Sequence, residues 1–332
     1  MSSPPKPGLK IYILFGGLSL AGAVILFEIT VRILFPDFMN SLIRYKYLWP
    51  ANYTTTFYPD SLIFPGIYGE SRFAANTYGF RSDEDFSSGE QVIVTLGGST
   101  TECLYLDQKE TWPTLFESSL RRDSLPVRVF NGGKSALYSS HHIEQLKHLI
   151  PIELPVKYIL LKTGLNDFLF YLKHSADKGY DIYKQESFLL NNSAAAILAA
   201  RVYLKLRTLV GGFTKSVEQD SAGNIYQTWR NHYRNSIKTF TELHDINQLT
   251  VQFQHNIAEI YRLCKERNIQ LVLLTTPVMW REDNTEYEKS LLWMGGVGDY
   301  QEGKALGYFT PTALKQGVTL MNSALKNVAK QY

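Results

Sequence analysis

The chain has 332 residues, of which 45% are hydrophobic and 20% are charged, and its formal net charge is +3. This composition is typical of a folded protein, and the small charge without a run of Lys and Arg argues against nucleic acid as a partner. Two cysteines, Cys103 and Cys264, are too few for a disulfide framework or a zinc site with cysteine ligands. We interpret them as two buried thiols in preference to a single disulfide, and we expect no metal site.

The first predicted element is an apolar helix over residues 11–35. No residue between Ile11 and Phe27 is charged, and apolar character resumes after Glu28. About 20 apolar residues cross a bilayer, so the segment is predicted to be a membrane anchor. A cleaved signal peptide is the alternative, but the small residues Ala21-Gly-Ala23 fall inside the apolar run, which favours an uncleaved anchor.

The charges around this span predict its orientation. Lys6 and Lys10 precede it with no acidic residue beside them, whereas Glu28 and Asp37 lie among the basic residues on the far side. Because positively charged flanks stay in the cytoplasm, the chain is predicted to be a single-pass membrane protein whose domain lies outside, in the periplasm or the extracellular space.

Residues 36–90 are rich in Tyr, Phe, Pro, Asn and Ser without a sustained period, which predicts a wrapping segment of loops and short strands. Within it, Asn76-Thr-Tyr-Gly-Phe-Arg81 has the Asn and Gly typical of a turn, and no chemistry is assigned to it. The third predicted domain, residues 91–332, carries the remaining pattern.

In this third domain, apolar β-branched strands alternate with helices, which predicts a parallel sheet with right-handed crossovers, covered on both faces. After the fourth strand the pattern loosens and includes a predicted loop, before an amphipathic helix closes the chain. The predicted strands are five to six residues of the run that begins at Gln91 and stops at two glycines, Val127–Phe130, Val156–Lys162 and Ile269–Pro277; the helices are Trp112–Arg122, one following Tyr138, Ala194–Leu209, Asn247–Arg267 and Leu314–Tyr332; the loop is Met294–Gly298.

Three polar loops follow successive strands of this sheet. Ser99 comes directly after the first strand, the loop 131–136 after the second, and Asn166 after the third. Because ligands of open α/β sheets bind at the carboxyl ends of the strands, we expect these loops to converge. Acyl transfer needs a nucleophile and donors about 3 Å from the developing oxyanion, and Ser99 with nearby N–H groups can supply both.

The three loops resemble blocks I, II and III of the SGNH (GDSL-type) hydrolases, in order and over roughly residues 91–277. The matching residues are Gly97-Gly-Ser-Thr100, Asn131-Gly-Gly-Lys-Ser-Ala136 and Gly164-Leu-Asn-Asp167. The resemblance implies an α/β fold, a flavodoxin-like three-layer α/β/α sandwich with a parallel sheet, here preceded by one transmembrane helix. It also implies hydrolysis of acetyl or acyl esters of lipids or carbohydrates. Membrane-attached members of the family carry an anchor and segments similar to Asn76–Arg81.

By this resemblance Ser99 is the catalytic nucleophile, and Ser99, Ala136 and Asn166 form the oxyanion hole. Ala136 stands where the family has a glycine, and it retains the N–H that the hole uses, so the replacement costs conformational freedom only. Gly133 is the alternative register. No GxxxxGK or GxGxxG motif occurs in the sequence, and no cofactor is expected.

The family takes its histidine base and the orienting aspartate from an Asp-x-x-His block after a fifth strand, and no such block occurs in this sequence. We favour a chain that stops before the block and lacks its last strand and helix, because residues 321–330 resemble the preceding helix. Alternatively, Tyr308-Phe-Thr-Pro311 is a decayed block, with Tyr308 and Ala305 at the His and Asp positions. His141 and His142 are not expected to substitute, because surface or capping histidines are commoner.

The leading interpretation is an SGNH-type serine ester hydrolase outside the cytoplasm, catalytically incomplete in this chain, with an acylated glycan or lipid as substrate. A non-catalytic module that binds a glycan or a protein at the membrane is the alternative from another class. An O-acyltransferase would use the same serine and differ in whether water is excluded.

Overall fold

The computed structural model describes residues 9–34, 46–177, 183, 193–196, 198, 219–244 and 246–332. The chain divides into two compact units, Met1–Lys46 with Gln185–Phe213 and Tyr47–Lys184 with Thr214–Tyr332. The predicted helix Ala194–Leu209 lies largely outside the described residues, with helix at 194–196 and 198. The predicted domain boundaries, and the missing last strand and helix, stay predictions.

The first unit contains α1 (Leu9–Leu34), a helix of 26 residues. A rise of about 1.5 Å per residue gives it a length of about 39 Å, more than the roughly 30 Å of a bilayer core. Its segment Tyr12–Leu34 is apolar and largely exposed, although Val31 is buried. The helix is therefore long and apolar enough to span a membrane, and its place near the N-terminus fits a signal sequence as well.

All strands of the described residues lie in the second unit. In chain order they are β1 (Thr54–Phe57), β2 (Ser71–Ala74), β3 (Gln91–Gly97), β4 (Val127–Asn131), β5 (Val156–Lys162), β6 (Thr239–Phe240), β7 (Gln270–Leu274), β8 (Gly296–Asp299) and β9 (Lys304–Phe309). Its helices are α2 (Ser99–Glu102), α3 (Trp112–Arg122), α4 (Ser139–Glu144), α5 (Leu165–Lys173), α6 (Asn224–Arg234), α7 (Ile246–Glu266), α8 (Glu286–Ser290) and α9 (Pro311–Gln331). After α4 the chain continues as a π-helical segment, Gln145–Leu149.

The central sheet has the order β4-β3-β5-β7, and every neighbouring pair is parallel. Its strands are apolar on both sides because helices cover both faces. On one face, Trp112, Phe116 and Leu120 of α3 pack against Ile93 and its neighbours. On the other, α7 and α9 pack against each other and against β7. The predicted α/β class with a parallel central sheet is confirmed.

The wrapping segment forms the antiparallel pair β1 and β2, as predicted. The turn predicted at Asn76–Arg81 is also present: the Asn76 side-chain oxygen accepts hydrogen bonds from the N–H groups of Tyr78 and Phe80, both at 3.1 Å. Phe80 then stacks on Phe130 of the central sheet, with ring centroids 5.4 Å apart. The turn thereby fixes the wrapping segment to the sheet edge.

Two predictions for the C-terminal part were wrong in detail. The loop predicted at Met294–Gly298 contains most of β8, which pairs antiparallel with β9, while β6 pairs with β9 on its other side. Gly295 and Gly298 have positive φ, and glycines in this segment take the place of the alternating apolar residues by which a strand is predicted. The last helix begins at Pro311, because the Thr310 side chain caps it and proline fits a first turn.

The cysteine prediction holds in one respect and fails in another. Both thiols are free. Cys264 is buried in α7, but Cys103 is only partly buried, because it follows the short helix α2 at the sheet edge.

Candidate active site

The nucleophile turn depends on the two glycines that end β3. A Cβ atom at Gly97 would lie 2.7 Å from the Lys162 carbonyl oxygen, and one at Gly98 would lie 2.4 Å from Asn166 Nδ2. Both approaches are closer than a side chain allows, so only glycine lets the chain turn here. Gly98 is the N-cap of α2, and Ser99 is its first residue. Ser99 is thus held at the carboxyl end of β3.

The second loop is tied beneath α2 through Asn131. Asn131 Nδ2 donates to the Thr101 carbonyl oxygen at 2.7 Å, and Asn131 Oδ1 accepts from Gly133 N at 2.9 Å. A Cβ atom at Gly133 would lie 2.5 Å from Glu102 N, so this glycine is packed against the backbone of α2. Ala136, by contrast, is exposed and has a φ of 63°, in the left-handed region that favours glycine.

The third loop joins the second through two neighbouring side chains. Asn166 Nδ2 donates to the Leu137 carbonyl oxygen at 2.7 Å. Asp167 is completely buried and accepts hydrogen bonds from Ser139 N at 3.0 Å, from Ser139 Oγ and from Tyr183 Oη at 2.6 Å. The buried carboxylate therefore fixes the start of α4 to the start of α5, which holds Asn166 beside the second loop.

The structure brings the predicted site residues together. Ser99, Ala136 and Asn166 line one cavity of about 450 Å³. Gly133 is not among the lining residues. Part of the wall is formed by α5 and by residues 103–106 after α2, and much of the rest comes from segments to which the sequence assigned no chemistry: the wrapping segment, α6 and the residues before and after β8. These lining residues include Phe64, Ile67, Tyr226, Trp229, Trp293, Met294 and Tyr300.

Sequence reasoning missed Glu102, a fully buried carboxylate at the end of α2. Its oxygens accept hydrogen bonds from Trp49 Nε1 at 3.1 Å, from Ser135 N at 3.0 Å and from the Ser135 hydroxyl. Glu102 therefore connects the nucleophile helix to the loop that carries Ala136. Its position three residues after Ser99 is the one signal in the sequence, and a short polar helix does not by itself predict burial.

Arg81 was also missed, although it ends the predicted turn. Its side chain is buried and donates to the carbonyl oxygens of Glu102, Cys103 and Leu106 at 2.7, 2.6 and 2.6 Å. Burial lowers the pKa of Arg81 to about 10, so the guanidinium stays charged at neutral pH. A cation under these carbonyls fixes the chain that leaves α2.

The ionisable groups that line the cavity are mostly held neutral. Burial raises the pKa of the Cys103 thiol and of the Tyr105 and Tyr300 phenols, and it raises the pKa of Tyr226 to about 12. Lys173 lines the cavity and pairs with Asp299, with Nζ 3.1 Å from Oδ1. Among the described lining residues none is Asp, Glu or His. The described lining therefore offers no carboxylate or imidazole that could accept the proton of the Ser99 hydroxyl.

All seven histidines lie in the described part of the chain, and none lines the cavity. The His141 ring packs on the Tyr138 ring, with centroids 3.7 Å apart. His142 is completely buried, its Nδ1 lies 2.7 Å from Gln145 Oε1, and burial lowers its pKa. Neither lines the cavity that holds Ser99, and His142 is buried where a surface or capping histidine was expected.

Tyr308 and Ala305, the positions of the alternative decayed block, both lie on β9. Tyr308 is 2% exposed, its hydroxyl donates a long hydrogen bond to the Tyr300 carbonyl oxygen at 3.5 Å, and burial raises its pKa to about 12. It does not line the cavity, although its neighbour Tyr300 does. α9 begins two residues after β9 ends.

No family model and no curated protein matches this chain. Among solved structures it is similar to AlinE4, described as an SGNH-hydrolase family esterase, at 14% identity over 74% of this chain and 97% of that chain, with a TM-score of 0.31. It is also similar to the psychrotrophic esterase EstA from Pseudoalteromonas sp., at 13% identity over 73% of this chain and 100% of that chain, with a TM-score of 0.29. It is similar as well to the acetylxylan esterase Axe2 from Geobacillus stearothermophilus, at 15% identity over 74% of this chain and 96% of that chain, with a TM-score of 0.27. All three are described as esterases, and AlinE4 as a member of the SGNH-hydrolase family; the identities and TM-scores are low.

Proposed function

We propose that this protein is an SGNH-type serine ester hydrolase in which Ser99 attacks the acyl carbon of an ester bound in the cavity. The observation that carries the proposal is that Ser99, Ala136 and Asn166 line one cavity at the carboxyl ends of parallel strands. The hydrolase-like domain comprises residues 91–332, with residues 36–90 as the wrapping segment.

The oxyanion hole consists of three donors that are fixed before the ester arrives. They are the N–H groups of Ser99 and Ala136 and the side-chain amide of Asn166. Asn166 uses one donor on Leu137, and its amide nitrogen carries a second hydrogen for the oxyanion. Donors that need no reorganisation stabilise the developing charge most effectively, and each is worth about 10²–10³ in rate.

The proton of the Ser99 hydroxyl has no histidine in the cavity lining to receive it, so it passes to hydroxide from the solvent. Serine enzymes without a working base keep a rate about 10³–10⁴ above the uncatalysed reaction, through the oxyanion hole and binding alone. We expect a rate in that range for this chain. Because the oxyanion donors also assist attack by water, the contribution of Ser99 is the difference in rate between the wild type and Ser99→Ala.

The test is hydrolysis of p-nitrophenyl acetate by the full chain in lipid nanodiscs, with Ser99→Ala and, as a matched control, Ser118→Ala on the exposed face of α3. The wild type and Ser118→Ala are expected to react equally, and Ser99→Ala to react more slowly than both, keeping only the rate that the oxyanion donors and binding give to attack by water. A fluorophosphonate should label Ser99, which peptide mass spectrometry locates. Equal rates for wild type and Ser99→Ala would remove Ser99 from the mechanism.

The second candidate is a binding module that holds an ester without turning it over. The specific observation in its favour is that no histidine or carboxylate belongs to the described lining of the cavity. It predicts that the protein binds an acyl ligand while p-nitrophenyl acetate hydrolysis matches that of Ser99→Ala. Ligand binding with Ser99-dependent turnover would exclude it.

We propose further that α1 anchors the protein, with the domain outside the cytoplasm and an acylated glycan or lipid as substrate. The unburied apolar surface of α1 and the two lysines before it support this placement. The test is trypsin digestion of right-side-out and inverted membrane vesicles. The domain should be cleaved in right-side-out vesicles alone, and cleavage in inverted vesicles alone would reverse the orientation.

A further inference from the structure

One face of α5 runs along the cavity for two helical turns. Asn166, Leu169, Phe170 and Lys173 all line it, at the spacing i, i+3, i+4 and i+7 that brings residues to one side of a helix. Asn166 carries the proposed oxyanion donor at one end of this face. A rise of about 1.5 Å per residue places Lys173 about 10 Å further along, the length of an extended chain of about eight carbons.

The surface between these two ends is apolar. Leu169 is 9% exposed, and Phe170 beside it is partly buried. Elsewhere in the wall, Trp229 and Trp293 stack on each other with ring centroids 4.6 Å apart, so the two ring faces that meet are closed to a sugar ring. A largely apolar lining suits an acyl chain better than a carbohydrate.

The far end is marked by charge. Lys173 Nζ lies 3.1 Å from Asp299 Oδ1, and the Lys173 side chain is 26% exposed. An acyl chain that reaches this ion pair must either stop or desolvate the two charges, which is unfavourable. The ion pair therefore limits how much of a longer chain can be buried.

From these contacts we propose that the cavity selects an acyl chain of about eight carbons, with its carbonyl at Ser99 and Asn166 and its terminal methyl near Lys173. The inference rests on the proposed function for the position of the carbonyl. It makes Leu169 and Lys173 specificity-determining residues. Leu169 sets the width of the acyl site, and Lys173 with Asp299 sets its length.

The test measures binding without requiring turnover. The Ser99→Ala full chain in nanodiscs is titrated calorimetrically with acetate, octanoate and dodecanoate, and empty nanodiscs give the lipid background. Burial of one methylene raises affinity about fourfold, so octanoate should bind at least 100-fold more tightly than acetate. Dodecanoate should bind no more than threefold more tightly than octanoate, whereas burial of its four extra methylenes would raise the affinity about 250-fold. Acetate within tenfold of octanoate, or dodecanoate more than tenfold tighter than octanoate, overturns the proposal.

Two variants locate the site. Leu169→Trp should lower octanoate affinity at least tenfold, while Leu115→Trp, on the exposed part of α3, should leave it unchanged. Lys173→Met replaces a partly exposed side chain and should make dodecanoate at least tenfold tighter than octanoate. Unchanged chain-length preference in Lys173→Met contradicts the assignment of the far end, even if Leu169→Trp does not fold.

The two proposals fail differently. Chain-length selection by Ser99→Ala together with absent wild-type turnover contradicts the hydrolase and supports the acyl site. Ser99-dependent hydrolysis of p-nitrophenyl acetate without octanoate binding contradicts the acyl site and leaves the hydrolase standing.

Discussion

Arg81 offers the most demanding test of how this site is built. Its guanidinium is buried and donates to three backbone carbonyls just after Ser99, and its Nε donates to Gln108 Oε1 at 3.0 Å. Replacing it with methionine keeps the bulk of the side chain but leaves these buried acceptors unpaired. Breaking a buried charged network in this way costs about 3–5 kcal/mol of unfolding free energy.

For a domain of this size, 1 kcal/mol shifts the melting temperature by about 2–4 °C, so Arg81→Met should lower it by about 6–20 °C. The assay is thermal unfolding of the full chain followed by circular dichroism. Arg72→Met is the matched control, because the Arg72 side chain is 51% exposed and pairs with an exposed Asp83. An exposed ion pair is worth about 1 kcal/mol or less, so this variant should melt within about 4 °C of wild type.

The same variant tests the connection to Ser99. Well below the melting temperature of Arg81→Met, fluorophosphonate labelling of Ser99 should be at least tenfold slower than in wild type, because the chain leaving α2 is no longer fixed. Arg81→Lys keeps the charge with fewer hydrogen-bond donors, so its melting temperature should lie between those of Arg81→Met and the wild type. A melting temperature for Arg81→Met within 2 °C of wild type would refute the reasoning.

Four further outcomes follow from the geometry. Asn166→Ala should lower the Ser99-dependent rate about 10²–10³-fold, since it removes an oxyanion donor, and p-nitrophenyl acetate kinetics check this. Ala136→Gly relieves a left-handed φ of 63° and should raise the unfolding free energy by about 1 kcal/mol in urea titrations, whereas Ala136→Val should lower it. Burial raises the pKa of Tyr308 to about 12, so below pH 10 both the folded and the unfolded state keep its proton, whereas between pH 10 and 12 only the folded state does. The free energy of unfolding should therefore fall as the pH rises from 10 to 12, and it should fall less steeply in Tyr308→Phe. The double change Ala305→Asp with Tyr308→His should leave the esterase rate within twofold, because Tyr308 is buried outside the cavity, and a tenfold rise would instead place that position in the site.

The central sheet was predictable because its strands are continuous apolar runs. The run that begins at Gln91 and the strand Val156–Lys162 have no polar face, which is the pattern of a parallel strand covered on both sides. The polar loops after these runs then predicted Ser99 and Asn166 by position alone. Ala136 was predicted from the resemblance, and its φ lies in the left-handed region that favours glycine.

The rest of the cavity was not predictable from local pattern. Phe64 and Ile67 lie in a segment without periodicity, and Trp293 precedes a strand rich in glycine. Their place in the wall depends on contacts between residues far apart in the chain, which no short window contains. Arg81 is harder still, because a buried arginine is rare and becomes favourable only where several carbonyls converge on it.

The cavity combines fixed oxyanion donors with lining groups that burial keeps neutral, and this combination decides how the reaction should depend on pH. A histidine base would give a rate that levels off above its pKa of about 6.5. In the proposed reaction the acceptor for the Ser99 proton is hydroxide, because neutral water is too weak a base to take it. Acylation should therefore rise in proportion to hydroxide from pH 6 to 9, without a plateau. The effect of the proposed oxyanion donors and the effect of a missing base can be measured separately, since the donors set the size of the rate and the base sets the shape of its pH profile.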